Sequence, residues 1–161
     1  MIHNAKEFNN LFMKKFIIII KIFFIYLFIT SVGLSKESNY LKKGIEHFKK
    51  KEFDKSKILF EKDIVFDPKS ERSYLYLAKI FSNNNNDYEQ EVNLNSVLLI
   101  NPKNEEAIYM LALLKIKQSD YDHAKKLLDE FILACKSFCS KKEEIQNKFE
   151  KMTPEDAKNK N

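Results

Sequence analysis

Pro68 and Pro102 stand 34 residues apart, and residue types keep that step along most of the chain. Tyr40, Tyr74 and Ile108 form a bulky series, and Gly44, Ala78 and Ala112 a tiny one. Phe60, Leu94 and Leu128 form a third series, and Ile64, Leu98 and Ile132 a fourth. A fixed period of this length excludes a single irregular core and implies stacked supersecondary units. Units of that kind bury their apolar faces only against their neighbours, which leaves an extended surface suited to binding other proteins.

The period also defines the unit. Tyr40, Leu41, Gly44, Ile45 and Phe48 have helical spacing, and a polar break around Glu52 to Asp54 interrupts them. Ile58, Leu59, Ile64 and Val65 mark a second helix, which Asp67-Pro68 ends because proline cannot continue it. One unit is therefore helix, turn, helix. The expected fold is all-α: three tandem units at about 37–70, 71–104 and 105–138, followed by a capping helix over 141–152. A polar tail, 153–161, is expected to be disordered.

These units resemble tetratricopeptide repeats. The third fits best, through Tyr109-Met110-Leu111-Ala112, Ser119 to Ala124, Leu128 and Phe131. The first fits through Gly44, Phe53, Phe60 and Asp67-Pro68, and departs at Ser56, where the family prefers alanine. It also departs at Lys43 and Asp63, where the family prefers apolar residues. The second is weakest: Asn83 to Asn86 fill its inter-helix turn and Gln90 replaces a small residue. The resemblance implies an α-solenoid whose first helices line a concave binding face.

Residues 1–35 belong to a different class. Lys14 and Lys15 precede the apolar stretch Phe16 to Leu34, interrupted by Lys21, and small residues follow at Gly33 and Ser35. This is the pattern of a secretory signal peptide cut after Ser35, with Met13 as an alternative start. The competing reading is an uncut anchor, since nineteen helical residues reach about 28 Å, just enough for a bilayer core. Either reading exports the domain, 36–152, to the periplasm or the outer face of a bacterial inner membrane. The membrane is then a partner only through the N-terminal segment.

The formal charge of +5 is concentrated at the front: beyond Ser35 the chain carries 24 basic and 22 acidic side chains, mixed along the helices. A nucleic-acid binder would show a basic stripe, and none is present. With two glycines in the chain there is no phosphate loop, and no histidine pair has metal-binding spacing. No nucleophile, base, metal site or cofactor motif is legible, so the expectation is a non-enzymatic protein without cofactor.

Ile145, Phe149 and Met152 give 141–152 one apolar side, and Ser140 with Glu143 reads as a capping box at its start. Cys135 and Cys139 flank the turn before it. In an exported protein they are candidates for a disulfide; the alternative is two independent small apolar residues.

The candidate binding groove follows the repeat step. Leu41, Ile45 and Phe48 recur as Leu75, Lys79 and Ser82, then as Tyr109, Leu113 and Ile116, with Tyr76 beside them. Offsets of four and seven keep each trio on one helical face. Such an apolar face either takes a partner's apolar or amphipathic segment or is covered by the chain itself or a second copy. Some relatives clamp a partner's C-terminal carboxylate with lysine and asparagine here; the corresponding places hold Leu41, Ile45 and Tyr76. The expected function is an interaction module or adaptor for another protein or peptide. The alternative is a structural subunit of an envelope complex, or a homo-oligomer, using the same face; an enzyme with an unrecognised site ranks below both.

Overall fold

The computed structural model describes Met13, residues 15–23, residues 38–152 and Pro154. The expected leader cleavage point and the tail beyond Met152, apart from Pro154, lie outside the described residues. The chain divides into two compact units, Met1–Lys36 and Glu37–Asn161. In the first, residues 15–23 are helical and exposed. Among the described residues no helix is long and apolar enough to cross a membrane.

The second unit is built from helices α1 (Asn39–Lys49), α2 (Phe53–Phe66), α3 (Glu71–Asn83), α4 (Asp87–Ile100), α5 (Glu105–Lys117), α6 (Tyr121–Ala134) and α7 (Lys142–Met152). The first six pack as three hairpins, α1 on α2, α3 on α4 and α5 on α6, and each hairpin packs on the next. The described part of this unit is all-α, as the period requires. Side chains cap four helix starts. Ser38 accepts from the Leu41 N–H, Asn86 from Glu89, Asn104 from Ala107 and Asp120 from His123, each cap worth about 1 kcal/mol. A three-residue 3-10 turn, Cys139–Lys141, leads into α7. Ser140 therefore lies inside a helical turn and not in the extended conformation of an N-cap, which corrects the expected capping box.

Each hairpin closes through one residue with positive φ: Lys51 at 60°, Asn85 at 55° and Ser119 at 62°. They stand at the same repeat step, and none is glycine. A left-handed residue reverses the chain after each first helix and lets the second fold back.

The tiny series sets how closely the paired helices approach. A Cβ placed on Gly44 would lie 2.6 Å from Cε1 of Phe60, a ring that is fully buried. Ala78 and Leu94 share one core cluster, and Ala112 and Leu128 another. Glycine thus faces phenylalanine in the first hairpin, where the others combine alanine with leucine.

The first unit's departures from the repeat pattern have structural causes. The Ser56 hydroxyl donates to the Gly44 carbonyl at 2.8 Å. Asp63 is 1% exposed and accepts from the hydroxyls of Ser38, Ser70 (2.5 Å) and Ser73 (2.5 Å). Ser38 and Ser70 are the N-caps of α1 and α3, so the carboxylate sits at two helix N-termini, whose dipoles favour a negative charge. Lys43 is exposed, whereas its counterparts Leu77 and Leu111 are buried against the preceding hairpin. No hairpin precedes α1 among the described residues, so that place meets solvent.

At the edge where one hairpin passes to the next, two glutamates form a seam. Glu71 Oε1 accepts from the side-chain amides of Asn101 (2.9 Å) and Asn104. Glu105 accepts from the backbone N–H groups of Ser137 (3.0 Å) and Phe138 (2.7 Å). Hydrogen bonds from the N–H groups of Lys136, Phe138 and Ser137 hold the Glu105 carboxyl below the usual glutamate range. The turn they fix ends in a disulfide between Cys135 and Cys139, with Cα atoms 5.3 Å apart.

Two substitutions test this packing. Gly44→Ala destabilises the protein by about 1–2 kcal/mol although alanine is the better helix former by about 1 kcal/mol. Adding Phe60→Leu to Gly44→Ala recovers most of that loss, because it reproduces the alanine–leucine combination of the other hairpins. Urea titrations of the two single variants and the double variant measure the coupling; strict additivity would contradict the contact. Asp63→Ala restores an apolar residue of the repeat pattern yet lowers stability by about 2–4 kcal/mol, because two buried hydroxyls and one half-buried one lose their acceptor. A melting temperature equal to the parent's would show that the carboxylate is dispensable.

Candidate functional site

The first helices of the hairpins form the inner face of the stack. α1 contacts α3 directly, and Lys79 Nζ on α3 reaches Glu106 Oε1 on α5 at 2.9 Å. α7 lies against both α5 and α6. This arrangement divides the nine candidate groove residues.

Four of them face the interior. Leu41 packs with Phe60, Leu77 and Ile80, and Leu75 with Ala78, Leu94 and Val97. Tyr109 and Ile116 share a cluster with Ile145 and Phe149 of α7. The Tyr109 ring lies 5.5 Å from that of Phe138 and 5.8 Å from that of Phe131, and its hydroxyl donates to Glu144 Oε1 at 2.6 Å. Burial, then the neighbouring Glu144 carboxylate, pushes the Tyr109 phenol above its ordinary range. Hydrogen bonds from Lys141 and then Tyr109 hold the Glu144 carboxyl low. The nine residues therefore do not form one open face: α7, the last helix among the described residues, covers its C-terminal third.

The other five are half-buried and reach solvent: Ile45, Phe48, Tyr76, Lys79 and Leu113. Phe48 meets Tyr76 edge-on at 5.0 Å, and Tyr76 stacks on Phe60 at 5.0 Å. Lys79 Nζ lies 5.0 Å from the centre of the Tyr76 ring. The result is an aromatic wall with one cation over it, and the ammonium is held from the other side by Glu106. Beyond it opens a cleft of about 380 Å³, lined among others by Ser82, Met110, Leu113, Lys117 and, from α7, Lys148 and Met152. Periodicity marked Ser82 and Leu113 but not the α7 residues, whose position depends on a fold-back that no local pattern encodes.

Among the described residues no group of three His, Cys, Asp or Glu side chains is placed to hold a metal. His47 is bonded to Glu52 across its own turn and His123 to Asp120, so each serves a helix junction. The chemistry available to the inner face is non-covalent: apolar burial, ring edges, and a cation paired with a carboxylate.

No known family profile matches the sequence. No curated protein matches it either. Solved structures do. The TPR2B domain of yeast Sti1, in its pHsp70 complex, superposes with a TM-score of 0.62 at 20% identity, over 71% of this chain and 97% of that one. The first TPR of Spaghetti (RPAP3), bound to the HSP90 peptide SRMEEVD, gives 0.62 at 18%, over 74% and 95%. The Sgt2 TPR domain from Aspergillus fumigatus gives 0.58 at 19%, over 70% and 78%. With the 34-residue hairpins and their inner face of first helices, these likenesses establish that the chain has the fold of a tetratricopeptide-repeat domain.

Proposed function

We propose that the protein is an exported interaction module that holds an apolar or amphipathic segment of a partner protein on the open part of its inner face. The observation that carries this is the half-buried wall of Ile45, Phe48 and Tyr76, continued by Leu113, with Lys79 at its rim. Two of the similar structures are complexes, with pHsp70 and with an HSP90 peptide, which supports peptide binding as the use of the fold. The ligand here differs in chemistry. Leu41, Ile45 and Tyr76 stand where a carboxylate clamp would need lysine and asparagine. A partner segment presenting leucine- or phenylalanine-sized groups, with a carboxylate toward Lys79, fits this wall.

Export rests on the sequence before Ser38: two lysines, a nineteen-residue apolar stretch and a small-residue exit. The Cys135–Cys139 bond supports the same reading, because such bonds persist in oxidising compartments.

A photoreactive side chain at Tyr76 is expected to capture a discrete partner in cells, and the same group at Lys126, exposed on α6, to capture none. Phe48→Ala and Lys79→Glu each weaken that capture by about 1 kcal/mol or more, roughly fivefold. Lys79→Glu keeps the parent's helix content, so its loss of capture reports the face and not the fold. Unchanged capture by both variants would remove the inner face from consideration. For the compartment, protein taken from the envelope and alkylated before denaturation should show no free thiol by mass spectrometry. Two alkylated cysteines would place the domain in a reducing environment.

A further inference from the structure

The edge of the stack where each hairpin hands over to the next repeats one exposed pattern three times. Val65, Leu99 and Leu133 stand at the repeat step near the ends of α2, α4 and α6, and are 80%, 86% and 87% exposed. Phe66 adds a ring that is 72% exposed and stacks at 5.4 Å on Tyr40, at the start of α1. A few residues after each aliphatic group comes an exposed lysine: Lys69, Lys103 and Lys136. None of the three is ion-paired among the described residues. The carboxylates at the turns are engaged by the chain itself, Asp67 while exposed and Glu71 and Glu105 while half-buried. Asp67 accepts from the N–H of Lys69, Glu71 from the amides of Asn101 and Asn104, and Glu105 from the turn at Ser137 and Phe138. Three further acids, Glu61, Asp129 and Glu130, are exposed one helical turn before Val65 and Leu133 on the same side of their helices. Helix ends carrying large exposed aliphatic groups, followed by unpaired lysines, have the chemistry of an interfacial membrane site: apolar tips for the acyl boundary, ammonium groups for anionic headgroups.

The chain enters the stack at this same edge. Ser38, at the start of α1, is bonded to Asp63 near the end of α2.

We infer that the edge formed by Val65, Phe66, Leu99 and Leu133 with Lys69, Lys103 and Lys136 docks on an anionic lipid surface. None of the candidate groove residues belongs to this edge. The site stands apart from the peptide-binding reading, and its test does not use the groove.

The chain contains no tryptophan, so one introduced indole reports alone. Full-length Leu99→Trp and Tyr88→Trp proteins are reconstituted with vesicles of phosphatidylcholine, with or without phosphatidylglycerol, and with brominated acyl chains. Tyr88 is 74% exposed on the same helix, about 16 Å from Leu99 along its axis. In phosphatidylglycerol vesicles, Leu99→Trp emission should shift to the blue and be largely quenched by the bromines, while Tyr88→Trp stays as in water. Charge reversal at all three lysines, Lys69→Glu, Lys103→Glu and Lys136→Glu, should abolish the Leu99→Trp response with helix content unchanged. A response that survives reversal overturns the proposal. So does an equal response in vesicles of phosphatidylcholine alone, or equal behaviour of the two indoles. A blue shift that grows with protein concentration without lipid would assign the edge to a second copy of the chain, and would equally overturn it.

Discussion

The fold depends on how closely two antiparallel helices can lie within each hairpin. That distance is set by one small residue against one large one, Gly44 against Phe60 in the first hairpin. Everything outside the hairpin inherits the spacing. Leu77 and Leu111 fill the gaps between units, and the first helices come into line as one inner face. Close packing makes the tolerance narrow, since a single methyl group exceeds the room available. The absence of side chain at position 44 therefore does more to shape the domain than most side chains present.

Hydrogen bonds then fix the angle at which one hairpin meets the next. Asp63 joins the N-termini of α1 and α3, and Glu71 and Glu105 reach from the start of one hairpin to the turn that follows it. Apolar contacts between units are non-directional and permit sliding. Carboxylates with several fixed donors are directional, and they pin the register that the apolar layers leave loose.

The helical hairpins, their number and their breaks were legible in the sequence because each rests on residue type alone: size at 44, 78 and 112, bulk at 60, 94 and 128, proline at 68 and 102. The positive-φ residues were not, because Lys51, Asn85 and Ser119 share a backbone conformation and no side-chain property. Asp63 and Ser56 read as defects in the repeat until the structure brought their partners to them. The groove was half legible. Periodicity selects the face of a helix, but it cannot say what lies across that face. Tyr109 and Ile116 are covered by α7, a segment more than twenty residues away in the chain. Glu71 and Glu105 stand one repeat step apart, but their role follows only from where the next turn lies.

Lys43 and α7 govern what the stack can become. Helical arrays tend to grow end on end, since an exposed terminal unit offers the same apolar layer that its neighbours bury. At the N-terminal end that layer carries Lys43, and another hairpin seated there would bury an ammonium with no counter-ion, at a cost of several kcal/mol. At the other end α7 turns Glu143, Asn147, Glu150 and Lys151 outward. Both features disfavour head-to-tail stacking of a second copy on the described repeats, the contact that would lead to open-ended filaments. Three units is a length written into the chemistry of its two ends.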